Sequence, residues 1–281
     1  LPIPRWFPMR WRRWIWGQVD ARIIDPSAVP DLNAERQSRG LPPVKHLIEH
    51  MHSVADVSIT LFPSWFAKSQ SDWPSPLYSG DFQLYEPSPN QAMSPELTRF
   101  LAVNEAPVVF TAGTAHRHAA TYFGKVLQAV QKMGRRAIFL TRHREQLPAE
   151  LPSTILWQDY VSFRALLPHA SLLVHHGGIG TTAEALRAGV PQLVVPLAHD
   201  QFDNGARVRA LGVGGVLPAS RLRVRTLAKM LHDLLASTTV RTRCDIVAAR
   251  FSQDQGSDAL CRVIESIGDR SSGLPIRRPC H

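Results

Sequence analysis

From residue 107 onward, short apolar runs closed by glycine or proline alternate with stretches of helical period. That alternation constrains the fold more than any other feature of the 281-residue chain. The runs at 107–113, 136–141, 153–161, 171–178 and 191–197 are short and nearly continuous in apolar side chains, which reads as strands buried on both faces. Between and after them, helical spacing predicts helices over 116–133, 181–187, 201–211, 225–236 and 240–267, with Gly134 and Gly189 marking two of the stops. Strands alternating with helices through short connections define an α/β fold with a doubly wound, Rossmann-like parallel sheet.

The first hundred residues have a different texture. Residues 5–16 hold four of the seven tryptophans (Trp6, Trp11, Trp14, Trp16) and four arginines, and a helix is predicted over 9–24 with Trp11, Trp14 and Ile15 on one side. A basic, Trp-rich helix suits a membrane interface, or it packs against another part of the protein. After a proline-marked break, residues 42–55 read as a helix and 56–66 as a strand interrupted at Pro63. Five prolines among residues 72–95 give that stretch the composition of a linker. The expected organisation is a partial N-terminal domain with linker (1–95), a complete C-terminal domain (96–268) and a disordered tail (269–281).

Composition removes several classes of function. Hydrophobic residues make up 44% and charged residues 20%, a balance suited to a packed core. Three widely spaced cysteines (Cys244, Cys261, Cys280) build neither a disulfide framework nor a Cys-rich zinc site, and point to a reducing, cytoplasmic setting. No run of 18 apolar residues occurs. Residues 1–100 carry ten charges of each sign, so the net +9 lies entirely in residues 101–281, scattered along helical stretches without a basic run. Scattered cations describe a solvated face better than a nucleic-acid stripe. His116, His118, His143 and His199 lack metal-ligand spacing, and no metal or bound cofactor is expected.

Ligands of an open α/β sheet bind beyond the carboxyl ends of the strands. Three loops there have suitable chemistry: Thr111 to Thr114, the HHGGIGTT segment at 175–182, and Ala198 to Gln201. In the second, Gly177, Gly178 and Gly180 allow close backbone approach, and Thr181 and Thr182 open a helix whose free N–H groups attract an anion. His176 adds a donor. The segment is then a phosphate cradle, or else a tight turn whose histidines cap strands. It is neither a Walker loop nor a dinucleotide fingerprint. His175 points to the opposite side of its strand end from His176 and is expected to be structural.

The longer segment HHGGIGTTAEALRAGVPQLVVPLAHDQFDNGARV resembles the nucleotide-sugar box of family 1 glycosyltransferases of GT-B architecture, in the form seen in bacterial sterol-type and rhamnosyl-transferring members. The resemblance covers about residues 107–250. It implies that Thr114, His176, Gly178, Gly180, Thr181 and Thr182 hold a diphosphate, that Glu184 takes the ribose hydroxyls, and that Asp200 and Gln201 take the transferred sugar. Gln158, Tyr160 and Val161 would edge the base. Gln158 stands where plant members carry a stacking Trp, with Trp157 beside it, and Gly180 stands where they carry Asn.

The activity implied is inverting transfer of a hexose, of glucose or rhamnose type, from a UDP- or dTDP-sugar to a hydroxyl of a lipid or other small apolar acceptor. The nucleotide sugar is a co-substrate, and peripheral membrane contact fits such an acceptor. In the family the general base is a histidine in an early strand-to-helix loop, for which residues 1–100 offer no counterpart. The expectation is therefore a chain retaining the donor domain without its base, the catalytic residue being unassigned. A non-catalytic nucleotide-sugar-binding module and a nucleotide-sugar epimerase stand as alternatives.

Overall fold

The structure is a computed structural model that describes residues 7–71, 73–84, 93–103, 105–113, 119–253 and 256–271. Contacts group it into two units, Leu1–Thr60 with Ser69–Ser79 and Leu61–Lys68 with Gly80–His281.

In the first unit, α1 (Met9–Val19) runs through a π-helical turn (Asp20–Ile24) into α2 (Asp25–Ser38). The helix expected to end near residue 24 thus continues for more than another turn beyond Pro26 and Pro30. Pro26 falls in the first turn of α2, directly after the π turn has changed the bonding register, and Pro30 forgoes only the bond that would reach the Pro26 carbonyl. The chain then folds back into α3 (Leu47–Val54). Asn33 fixes this return by accepting from the Val44 N–H at 2.8 Å and donating to the Val44 carbonyl at 2.9 Å. The Asp25 carboxylate accepts from the Leu47 N–H at 3.0 Å and meets His46 Nδ1 at 2.8 Å. The His46 contact, with the amide, holds Asp25 below the usual carboxylate range, while Asp25 raises His46.

A two-stranded parallel pair, β1 (Ser58–Thr60) and β2 (Leu77–Ser79), completes this unit. The strand read over 56–66 is therefore much shorter, and the presumed linker contains its partner. Beyond β1 the aromatic residues serve the second unit: Trp65 and Phe66 pack edge-on against Phe82, and Phe251 stacks on Phe82 at 5.8 Å.

The second unit runs α4 (Pro95–Leu101), β3 (Val108–Thr111), α5 (Ala120–Met133), β4 (Ala137–Leu140), β5 (Ile155–Gln158), α6 (Phe163–Leu166), β6 (Leu172–His175), α7 (Ile179–Arg187), β7 (Gln192–Val194), α8 (Gln201–Leu211), β8 (Gly214–Val216), α9 (Val224–Ala236), α10 (Thr238–Ala248) and α11 (Gly256–Ser271). Ser94 caps α4 by accepting from the Leu97 N–H, and Gly134 ends α5 in the left-handed region at φ 63°. The helix expected over 240–267 is broken between Ala249 and Gln253 by a 3-10 segment. Cys244 donates to the Val213 carbonyl, and burial pushes its thiol up to about 12, so it is a packing group without nucleophilic character.

All six strands of the sheet are parallel, in the order β5-β4-β3-β6-β7-β8. The doubly wound sheet expected from the alternation is thus present, with one more strand than the sequence pattern showed. Strand alternation divides the core between two faces. Val108, Phe110, Phe139 and Val174 meet Phe123 and Val126 of α5 and Leu227 and Leu231 of α9. Val109, Ile138 and Leu173 meet Leu97, Leu166 and Ala185 on the other face. Strand order reverses between β3 and β6, so the loops after those two strands diverge to opposite faces and leave a crevice between them.

The unexpected strand is β8, which reads Gly-Gly-Val and has no apolar run. Its first glycine is required by proximity: a Cβ on Gly214 would lie 2.0 Å from the Gln192 carbonyl oxygen of β7. Replacing Gly214 by Ala forces the two backbones apart, and a loss of about 3 kcal/mol or more is expected in urea unfolding.

Candidate functional site

The crevice at the strand reversal is walled by the loop after β3 on one side and by the loop between β6 and α7 on the other. Thr111 Oγ1 accepts from the Gly113 N–H at 3.2 Å, which turns the first loop, and Gly113 has φ 83°. Gly113 also lies close to the opposite wall of the crevice. A Cβ there would lie 2.6 Å from His176 Cε1, and a Cβ on Gly178 would lie 2.6 Å from His176 Nε2. The two glycines therefore make the space in which the His176 ring sits, at the head of α7. Thr114, expected to donate to a phosphate, lies outside the described residues, as do His116 and His118.

Beyond the histidine, Gly178 takes the N-cap position of α7. The first intrahelical bond is made by the Thr182 N–H, to the Gly178 carbonyl at 2.9 Å. The N–H groups of Ile179, Gly180 and Thr181 thus precede the ladder, and the helix dipole favours negative charge beside them. No Cβ neighbour would crowd Gly180, so the backbone there is open to a ligand. Thr182 is placed differently from Thr181: it is fully buried, and its hydroxyl donates to the Gly178 carbonyl at 2.9 Å. Both its side chain and its amide are engaged inside the helix.

A buried polar network holds this loop from beneath. His175, at the end of β6, is fully buried. Its Nδ1 accepts from the Gly177 N–H at 3.1 Å, which leaves Nε2 as the protonated nitrogen, donating to Gln192 Oε1 at 3.0 Å. Gln192 Nε2 reaches the Thr182 carbonyl at 3.4 Å. Asn204 of α8 donates to the Gly177 carbonyl at 2.9 Å and to Asp200 Oδ2 at 2.8 Å. His175, Gln192 and Asn204 thus tie β6, β7, α7 and α8 to one short loop. Gln192 and Asn204 were not recognised in the sequence, because nothing in their spacing distinguishes a buried amide from a surface one.

The other expected residues surround the same end of the sheet. Glu184 is half-buried one turn into α7 and ion-paired with Arg187, whose i+3 spacing is readable in the sequence. Asp200 stands at the N-cap of α8, and the Gln201 side-chain oxygen accepts from the N–H groups of Leu197 at 2.8 Å and Ala198 at 3.1 Å. Those two bonds shape the loop after β7, where His199 adopts φ 55°. Gln158 ends β5, two strands from β3, or about 10 Å at the usual strand spacing. Its amide bonds the Trp157 carbonyl, while the Trp157 indole donates to the Thr141 carbonyl at 2.9 Å. Tyr160 is exposed, and Val161 packs against the core. Among the described residues, no three His, Cys, Asp or Glu side chains cluster closely enough to hold a metal ion.

Residues 124–260 match the family described as erythromycin biosynthesis protein CIII-like, C-terminal domain. The chain is 29% identical over 246 residues to O-mycaminosyltylonolide 6-deoxyallosyltransferase of Streptomyces fradiae, covering 84% of this chain and 56% of that protein. It is 28% identical over 268 residues to glycosyltransferase GtfE of Amycolatopsis orientalis, covering 94% and 62%. The solved glycosyltransferase of kitacinnamycin shares the fold with a TM-score of 0.71 at 18% identity, over 92% of this chain and 67% of that one. By this domain match and these relatives the chain is similar to family 1 glycosyltransferases, and it shares their GT-B-type fold. It spans about three-fifths of the length of the two curated relatives named above.

Burial pushes the His175 imidazole down to about 3. Its folded value is below its unfolded one, so the unfolded chain binds the extra proton as pH falls through about 6.5. Stability from this group is complete above that pH and declines toward pH 3, by at most about 1.4 kcal/mol per pH unit. Urea unfolding between pH 7.5 and 4 checks this, and His175→Gln is expected to flatten the slope.

Proposed function

We propose that the second unit binds the nucleoside diphosphate of a UDP- or dTDP-sugar at the strand reversal, and that the protein transfers the hexose, of glucose or rhamnose type, to a hydroxyl of a small apolar acceptor. The observation that carries this reading is the His176 ring packed between Gly113 and Gly178 beside the first turn of α7. One imidazole and three unbonded helix amides converge there on the crevice where an open α/β sheet takes its ligand.

Transfer with inversion forms a bond from the acceptor oxygen to the anomeric carbon as the bond from that carbon to the diphosphate breaks. The acceptor proton passes to a general base, which none of the residues discussed above supplies. Negative charge grows on the departing diphosphate. The amides of Ile179, Gly180 and Thr181 and the His176 donor stabilise it without reorganising, which lowers the barrier. Gly178 serves by leaving room for the imidazole, and Thr182 by holding the first turn in place. Thr114 would add a donor from the opposite loop.

Glu184 projects from the next turn of α7, where a carboxylate suits the ribose hydroxyls, and its ion pair with Arg187 orients it. Asp200 and Gln201 are taken as the sugar side of the site and the 158–161 stretch as the base side. They lie beyond strands on opposite sides of the reversal. An apolar or membrane-held acceptor is supported by the exposed Trp11, Trp14 and Trp16 of α1.

Titration calorimetry with UDP, dTDP, their glucose esters and pyrophosphate tests the assignment. Glu184→Ala is expected to weaken the nucleotides about tenfold, as for a charge-assisted hydrogen bond, and pyrophosphate hardly at all. Equal losses for both would remove the ribose role.

A further inference from the structure

Below the Gly113 loop, on the face covered by α5 and α9, the second unit contains a cavity of about 170 Å³ that nothing above has used. Its walls are mostly apolar, with Ala112, Val195, Leu197 and Leu222 among them, and it reaches His176. Into this lining enters the Tyr122 side chain from the first turn of α5. The Tyr122 ring packs on the core, and its buried hydroxyl has no hydrogen-bond partner among the described residues. Burial raises the phenol above its ordinary range, so it stays protonated and can donate. A buried polar group left unsatisfied is costly, and where it persists it marks a place that something else completes.

We propose that this cavity is a subsite for the pyranose ring of the nucleotide sugar, and that Tyr122 is a specificity-determining residue donating to, or accepting from, one oxygen of that ring. The inference rests on the reading of the adjoining loops as a nucleotide-sugar site. Two walls tie the cavity to that site: His176, beside the diphosphate position, and Leu197, whose N–H is held by Gln201. A ring extending from the diphosphate past His176 toward the loop after β7 passes the mouth of the cavity. Its apolar walls accept the C–H faces of a pyranose, and the phenol then discriminates among oxygens, since a site built to bond one hydroxyl rejects ligands lacking it. Lys125, one turn along the same helix face, also lines the cavity and adds a second donor.

Tyr122→Phe separates a ligand role from a structural one, because the two predict opposite signs. In the ligand-free protein it removes an unsatisfied hydroxyl without changing the packed ring, so thermal stability is expected to hold or rise. In calorimetry at neutral pH, the same variant is expected to lose about 5–10-fold affinity for UDP-glucose or dTDP-glucose, the size of one hydrogen bond, while UDP and dTDP bind as before. Ala219→Leu, which narrows the cavity from another wall, is expected to repeat the selective loss of the sugar ester. Equal affinity changes for nucleotide and nucleotide sugar, or no change for either, would overturn the subsite. A fall in stability with unchanged sugar affinity would also overturn it, leaving Tyr122 as a packing residue. Failure of the unaltered chain to bind UDP or dTDP at all would instead sink the reading of the whole site.

Discussion

The His175 imidazole, fully buried and bonded through both nitrogens, is the contact on which the arrangement of the ligand-facing loops depends. Its two partners lie on different elements. Gly177 begins the turn out of β6, and Gln192 begins β7 and extends the chain of bonds to the Thr182 carbonyl inside α7. A neutral imidazole suits this because one ring nitrogen accepts while the other donates. A charged ring would offer two donors and lose the Gly177 bond. Burial keeps it neutral, so desolvation also fixes the tautomer pattern that the turn requires.

From that fixed turn the neighbouring histidine acquires a different role. His175 is buried against β7, whereas His176 emerges at the crevice between two glycines. The pair shows how one residue of register separates a structural group from a ligand-facing one. Glycine is needed at three points for two distinct reasons. Gly113 and Gly178 leave space for the ring, and Gly177, at φ 96°, would otherwise drive a Cβ into Val194. The loop is built from backbone because side chains there would occupy the volume that the imidazole takes.

Much of this arrangement was legible in the sequence, and the parts that were not share a physical cause. Strands β3 to β7 announce themselves because both faces are buried, leaving continuous apolar runs such as VVFT and AIFL. β8 does not, because close approach to β7 excludes side chains at Gly214. Helix α2 was hidden by Pro26 and Pro30, whose local preference against helix is overridden by the bonds from Asp25 and Asn33 to the returning chain. At the site, His176, Glu184 and Asp200 were readable through an ordered motif. Gln192, Asn204 and Tyr122 were not, since their significance comes from burial and from the elements opposite them, which no local pattern encodes.

The charge of the chain also changes meaning once the elements are placed. The net +9 falls in residues 101–281, yet the groups that face the crevice are mainly amides and imidazole. The nearest cation to Glu184, Arg187, is already paired with it, and Arg207 and Lys229 pair with Asp203 and Asp233. On the proposed reading, fixed dipoles hold the anion locally, while the scattered cations contribute a diffuse field that salt screens within about 10 Å at 0.1 M. On the function proposed above, this division suits release of the nucleoside diphosphate after each turnover. Backbone amides stabilise a growing charge without adding a full counter-charge that would retain the product. The proposed binding through the first turn of α7 would thus be compatible with turnover in a way that a cluster of lysines at the same place would not be.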